Sequence, residues 1–454
     1  MGNARRLDPH PRRPVPARDD GLPGTRAGDD ARGRARTQSV SRRTARVIER
    51  PRGTHDVLPD EQPLWRHVTG TAEALCAIYG YRPIQTPVFE DTELFQRTSG
   101  QGSDVVQKEM YTFADRSGRS LTLRPEATAP IARAYVEHGM HRLPQPVKLY
   151  TIASCYRYAT PQRGRYREHF QLSVEAIGSD DPLVDAEIVQ LYDEFLRRLG
   201  VTEYQLELNS IGDRNCRPAY VEKLVQWLDE HDDVLDDEAR QKRATTPLRV
   251  FDVDNPRVRE ALQAAPKIGE SLCDECREHF SAVRAALDAY GVGYTIQPTL
   301  VRGLDYYTRT AWEFVGPEGG AQSTISGGGR YDYLVEEIGG PPTPGVGFGA
   351  GIERLLLALA GREPELTEGI DVFFVCDAAA DRERVLPLLA ELRRRGLKAD
   401  LDYAARSRKG QITQAGRLGA GWTVIVDGAQ ATVREQGKED WTTPLDALVE
   451  TIAG

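Results

Sequence analysis

No stretch of this chain is apolar over the about twenty residues that a membrane-crossing helix requires, and no apolar segment follows its first residues. The expectation is therefore neither a spanning helix nor a secretory signal. Cysteine is scarce. The six residues, at 76, 155, 216, 273, 276 and 376, are too scattered for a disulfide framework in a chain of 454 residues. A reducing, cytoplasmic compartment is expected. There is also no excess of positive charge: the formal net charge is -9 and the pI is near 5.6. That balance does not exclude a nucleic-acid partner, because a polyanion responds to a local patch within about 8–10 Å rather than to the total. Residues 1–46 have almost no aliphatic or aromatic anchors among their Arg, Pro, Gly and Asp. Such a stretch cannot bury enough apolar surface to offset its chain entropy, and a disordered leader is expected.

The remainder has ordinary globular content, 40% hydrophobic and 28% charged. Its length suggests roughly two to four domains. Order is expected from Arg52 onward, with a helix over Pro59–Tyr79 bounded by Pro-Asp-Glu and Gly80. Extended runs follow at Arg82–Phe89, Thr122–Arg124, Lys148–Tyr156 and Phe170–Ile177, with helices at Ala127–His138 and Val184–Leu199. This is an α+β pattern with a largely antiparallel sheet. Residues 47–212 form its first part. Residues 213–296 are charged and helix-rich and read as an inserted subdomain. The sheet resumes over 297–365, with runs at Pro298–Phe314 and Gln322–Gly328 and a helix at Gly351–Ala360. Residues 370–454 read as a small, doubly wound α/β unit.

Three segments carry the chemistry. Tyr156-Arg157-Tyr158, followed by Arg163-Gly164-Arg165-Tyr166-Arg167-Glu168-His169-Phe170, reads as a hairpin with several guanidiniums aimed to one side. Arginine suits bidentate contact with phosphate oxygens, although a solvated hairpin fits the same residues. Gly345-Val346-Gly347-Phe348-Gly349-Ala350-Gly351, with Arg354 just beyond, lets a strand approach a ligand or simply pack closely. Finally, Leu300-Val301-Arg302-Gly303-Leu304-Asp305-Tyr306-Tyr307 puts a cation, a carboxylate and adjacent phenols on a turn, and Ser326-Gly327-Gly328-Gly329-Arg330-Tyr331-Asp332 follows.

The first two segments resemble motifs 2 and 3 of class II aminoacyl-tRNA synthetases, with Pro83–Pro87 in the place of motif 1. The Arg302 and Tyr331 peptides, with Leu123-Arg124-Pro125-Glu126-Ala127-Thr128, narrow the resemblance to the histidyl-tRNA synthetase family, from about Arg52 to the end. The resemblance implies an antiparallel-sheet catalytic core of six to seven strands with a helical insertion and a C-terminal anticodon-binding domain. It also implies a homodimer that uses ATP, Mg²⁺, L-histidine and tRNA(His). By position, Arg157 would contact the α-phosphate, Arg354 the γ-phosphate, and Arg165 would join that clamp. Glu126, Thr128 and Gln171 would hold the amino group of histidine. Glu175 and Tyr307 would read the imidazole, with Tyr331 lining the same pocket, and Arg302 would be a further catalytic cation near the reacting carboxylate. Gln162 and Arg163 would face the tRNA acceptor end. Arg408, Lys409 and Arg417, with Arg406, would lie on the anticodon face.

One departure is Ala159, where many bacterial members carry an acidic residue that holds adenine. Cys273 and Cys276, with His279, look like part of a zinc site, but no second Cys/His pair lies at a helpful spacing, so no metal is expected. A rival reading is a catalytically weak, histidine-sensing regulatory paralogue. Such paralogues generally lack the C-terminal domain and have eroded signature peptides, whereas this chain keeps both.

Overall fold

The computed structural model describes residues 47–100, 103, 105–317, 324–360, 366, 369–435 and 437–453. The leader expected to be disordered, 1–46, lies outside them. Met1–Glu49 and Arg50–Gly454 separate as two units, and the described residues of the first, Val47, Ile48 and Glu49, are exposed.

The larger unit is built on an eight-stranded sheet in the spatial order Arg82–Pro83, Val147–Tyr156, Glu168–Ile177, Gly345–Gly351, Thr324–Arg330, Thr308–Val315, Gln205–Ser210, Thr295–Ile296. The long inner strands pair antiparallel, and a two-residue strand adds in parallel at each edge. Val147–Tyr156 alternates buried and half-buried residues, the period of a strand covered mainly on one face. Toward the centre of the sheet, the last six residues of Glu168–Ile177 are all buried, because both faces are covered there. One cover is the helix Pro182–Arg198, which starts where Asp181 accepts the Leu183 amide at 2.9 Å and ends on Arg197 and Arg198. It packs Tyr192 and Phe195 against Phe314 and Phe348.

Two expected runs are shorter than the sequence suggests. Arg82–Phe89 divides into Arg82–Pro83 of this sheet and Phe89–Asp91 of a separate three-stranded sheet with Ser120–Leu123 and Tyr111–Ala114. Pro83 and Pro87 cannot donate to a ladder, so the run cannot stay in one sheet. Pro298–Phe314 is a strand only over Thr308–Val315, and residues 297–307 form a loop.

The insertion hangs between the strands Gln205–Ser210 and Thr295–Ile296. Its helices Arg217–Glu230, Asp237–Thr245, Pro256–Ala261 and Asp274–Tyr290 share an apolar core with Tyr306, Tyr307 and Tyr331. A second tie is ionic. Arg330, fully buried, donates to Asp185 at 2.5 Å and to Asp332 at 3.0 Å, and His279 of the last insertion helix lies 3.3 Å from Asp185.

The C-terminal unit has a five-stranded sheet in the order Ala399–Leu401, Val372–Cys376, Trp422–Asp427, Gln430–Glu435, Trp441–Pro444. The first three strands are parallel, and the last two add as an antiparallel hairpin that the sequence reading lacked. Val372–Cys376 is buried throughout, as a central parallel strand should be.

Candidate active site

The hairpin after Tyr156 closes tightly. Arg157 donates its amide to the Arg167 carbonyl at 2.8 Å, and Gln162 and Arg165 bond each other's backbone at 3.1 and 2.9 Å. Gly164 turns the chain at φ +72, where a Cβ would also meet Leu357 at 2.7 Å, so the turn needs glycine on both counts. Its guanidiniums are held from outside. Arg157 Nε donates to the Pro125 carbonyl at 2.8 Å, and Arg165 pairs with Glu109 at 2.9 Å. Arg354, in the first turn of the helix Ile352–Ala358, donates to the Thr324 carbonyl. Burial, then the nearby Arg165 and Arg157, hold Arg354 below the ordinary guanidinium range. The same three cations, after burial itself, push His169 down to about 3, so it is neutral at physiological pH. Repelling cations held this close make a site for a polyanion.

The same cavity is also lined by acidic and phenolic groups. Glu126 receives the amides of Thr128 and Ala129 at 2.5 and 3.0 Å as the helix Thr128–Glu137 begins. Burial still raises its pKa, against those amides and Arg157. Glu175 accepts from Thr128 Oγ1 at 2.7 Å and from Tyr331 at 2.6 Å; its burial pushes the carboxyl up to about 8. Tyr307 and Tyr331 are raised by burial and stay as phenols.

Gly345, Gly347 and Gly349 alternate onto the face of their strand that these groups occupy. A Cβ at Gly347 would stand 1.8 Å from Glu175 Oε2, one at Gly345 2.2 Å from the Tyr331 ring, and one at Gly349 2.7 Å from Gln171. The glycine run therefore clears space for these side chains.

Arg302 lies on the loop before Thr308–Val315. Its Nη1 donates to Glu313, and its guanidinium stands 5.7 Å from the centre of the Tyr307 ring. Burial pulls its pKa down, but Glu313, Tyr307 and Asp252 together outweigh this and keep it charged. Its Nε is buried without a hydrogen-bond partner, a donor left for something the fold does not supply.

Of the residues expected from sequence, Glu126, Thr128, Arg157, Arg165, Gln171, Arg302, Tyr307 and Arg354 line one cavity of about 300 Å³. Glu175 and Tyr331 lie behind its wall, joined to it through Thr128. Gln162 and Arg163 are exposed on the turn whose Gly164 and Arg165 line the cavity. In the C-terminal unit, Arg408 and Lys409 open the helix Arg408–Arg417 and Arg417 closes it, so the structure sets Arg417 apart by about 13 Å of helix. Arg408 pairs with Asp377 at 3.3 Å. Ala159 is buried in the cavity wall.

Three contributors carried no role in the sequence reading: His169, Glu353 and Glu313. Glu353 lines the cavity, receives the Phe170 amide at 2.9 Å, and is raised by burial to about 7. Its place beside Arg354 was the available signal. Glu313 could be assigned only once the loop was seen to fold back over its own strand.

The profile of the histidyl-tRNA synthetase family matches residues 53–355. The histidine--tRNA ligase of Syntrophomonas wolfei is 46% identical over 413 residues, covering 89% of this chain and 98% of that relative. The histidine--tRNA ligase of Desulforudis audaxviator is 48% identical over 382 residues, covering 84% and 91%. The crystal structure of apo S. aureus histidyl-tRNA synthetase superposes with a TM-score of 0.76 at 37% identity, covering 90% of this chain and all of that one. With its signature peptides gathered at one cavity and these likenesses running through most of its length, the chain belongs to the histidyl-tRNA synthetase family.

Proposed function

We propose that this chain ligates L-histidine to tRNA(His), first forming histidyl-adenylate from ATP and then passing the histidyl group to the 3′ end of the tRNA. The observation that carries this reading is a single cavity lined by Arg157, Arg165 and Arg354 together with Glu126, Gln171 and Tyr307. Adenylation drives a carboxylate onto an anionic phosphate, so repulsion and positioning dominate the barrier. In this reading Arg157 holds the α-phosphate, Arg165 and Arg354 hold the β- and γ-phosphates, and Arg302 offsets charge where the carboxylate attacks. Pyrophosphate leaves, and the tRNA hydroxyl then attacks the adenylate carbonyl and releases AMP. No base is needed for the first step, because the histidine carboxylate is already ionised at neutral pH.

Glu126, Thr128 and Gln171 hold the substrate ammonium, and Glu175, Tyr307 and Tyr331 form the imidazole end of the pocket. A competitor without ring nitrogens would forfeit hydrogen bonds with these buried polar groups, the kind of mismatch that rejects analogues by ~10⁴ or more. Mg²⁺ usually binds through one or two carboxylates plus substrate phosphates, and Glu353 has that placement. Bound there, the ion would neutralise part of the triphosphate charge.

Gln162 and Arg163, exposed on the motif 2 turn, meet the acceptor end. Arg408 and Lys409, and more remotely Arg417, meet the anticodon arm. Residues 47–212 and 297–365 thus form the catalytic core, 213–296 the insertion and 370–454 the anticodon-binding domain. The protein acts in the cytoplasm as a homodimer. Exposed Val88 and Phe89, beside Pro83–Pro87, supply an apolar edge for a second copy. The rival regulatory reading has less in its favour, because both signature peptides and the C-terminal unit are intact. The deciding experiment is histidine-dependent ATP–pyrophosphate exchange together with charging of tRNA(His). An absence of exchange in a folded, histidine-binding protein would favour the regulatory reading.

A further inference from the structure

We propose that Asp213, Cys216, Cys273 and Cys276 bind one structural zinc ion that fastens the insertion to the back of the catalytic site. The four come from two arms of equal spacing. Asp213 and Cys216 lie on the loop between the strand Gln205–Ser210 and the helix Arg217–Glu230. Cys273 and Cys276 begin the helix Asp274–Tyr290. Their ligand atoms all lie within 4.8 Å of one another. Zinc–sulfur and zinc–oxygen bonds of about 2.3 and 2.0 Å in a tetrahedron would place neighbouring ligands roughly 3.5–3.8 Å apart. Cys216 Sγ stands 3.9 Å from Cys276 Sγ and 3.5 Å from an Asp213 carboxylate oxygen, so little movement is required.

The surroundings suit ligands rather than idle side chains. Asp213, Cys216 and Cys276 are buried, and half-buried Cys273 closes the solvent side. Backbone amides already support the donors: Asp213 donates to Cys216 Sγ at 3.4 Å, and Asn215 donates to Asp213 Oδ1 at 2.9 Å. Such hydrogen bonds orient first-row metal ligands and temper their charge. Arg309 Nη2 lies 3.8 Å from the other Asp213 oxygen and offsets part of the net negative charge that three thiolates and a carboxylate leave on a divalent ion. Cys273 also occupies a helix N-cap and caps no amide, a place where serine, threonine, aspartate or asparagine ordinarily gains stability. Its presence there serves something other than capping. Three soft sulfurs and a closed set of four favour zinc over magnesium or calcium. His279, the third member suggested by sequence, bonds Asp185 instead and takes no part.

The position gives the ion a function. Arg309 and Gly212 share a backbone hydrogen bond of 2.7 Å, and Arg217, which follows Cys216, donates to the Tyr307 carbonyl at 2.6 Å. The knot therefore buttresses the loop that presents Arg302 and Tyr307 to the cavity.

The test is the metal content of the full-length protein, purified in reductant without chelator, reconstituted with a small excess of zinc and then desalted to remove loosely held ion. About one tightly held zinc per chain is expected, with cobalt exchange giving tetrahedral d–d bands and thiolate charge-transfer absorption. Cys273→Ser keeps, or improves, the helix cap and so should fold, yet lose at least tenfold in zinc affinity. Asp213→Cys should retain the ion. Less than a tenth of a zinc per chain after reconstitution would overturn the proposal. So would cobalt binding without thiolate absorption, or a non-reduced thiol count showing Cys216 and Cys276 joined as a disulfide.

Discussion

Arg302 is the residue whose chemistry is most exposed to test. It is charged, half-buried, held on one side by Glu313, and has a buried donor that the protein leaves unpaired. A cation so placed stabilises charge that develops during reaction more than it binds the ground state. Arg302→Ala is expected to slow pre-steady-state adenylate formation by ~10²–10³ while histidine affinity stays within a few-fold. Adenylation at the parental rate would remove Arg302 from the reacting phosphate. Glu175 gives a pH signature. Its carboxyl is raised to about 8 by burial, whereas an unfolded chain releases that proton near about 4.3. Between those values the folded state holds a proton that the unfolded state has lost. Stability from this group is thus complete below the lower value and falls as pH rises through the upper one. Glu175→Gln should gain stability relative to the parent as pH climbs from about 5 to about 8.5, while losing histidine affinity about tenfold or more. Denaturant midpoints across that range check the first part. A pH-independent difference would mean that Glu175 does not titrate in this window.

Among the elements, the strand Gly345–Gly351 decides most about the site. Its alternating glycines face Tyr331, Glu175 and Gln171, so the strand forms the floor by having no side chains there. Gly347→Ala must displace Glu175, and crowding of this kind costs about 1–3 kcal/mol. Histidine-dependent exchange should collapse in that variant even where it remains folded. Gly351→Ala is the control, since its Cβ would only touch Arg354 at 3.8 Å. Equal losses in both variants would point to backbone stiffness rather than displacement of Glu175.

For the whole molecule, the question is how far the two ends of a tRNA are handled separately. Arg157, Arg165, Arg302 and Arg354 all precede the C-terminal unit, whose sheet and apolar core are its own. Truncation after Ala360 is therefore expected to keep measurable pyrophosphate exchange and to lose charging of tRNA(His) much more severely. The lost contacts are remote from the reaction, and remote binding energy can position the reacting end as well as hold the tRNA. The measurement is the ratio of the two activities in a truncation shown to keep the parent's oligomeric state. An unchanged ratio would mean that residues 370–454 do not engage tRNA.

Local chemistry made much of this legible in the residues alone. Partial alternation marked Lys148–Tyr156, found as the strand Val147–Tyr156; a helical stretch at Val184–Leu199 is found as Pro182–Arg198; and the signature peptides pointed to the family before any contact was known. What the residues could not show is which groups meet across distant stretches of chain. Glu313 over Arg302, Glu109 on Arg165, and Arg330 between Asp185 and Asp332 are pairings set by sheet register and loop return, which no local spacing encodes. The hairpin Gln430–Glu435 with Trp441–Pro444 is short and polar, so its pattern was too weak to read without the strand it joins. The cysteines show the division most plainly. Cys273 and Cys276 were visible as half of a metal-binding pattern, but Asp213 and Cys216 lie far upstream. Only the packing of the loop before Arg217–Glu230 against the start of Asp274–Tyr290 makes them neighbours, because a ligand set is defined by distance in space and not by distance along the chain.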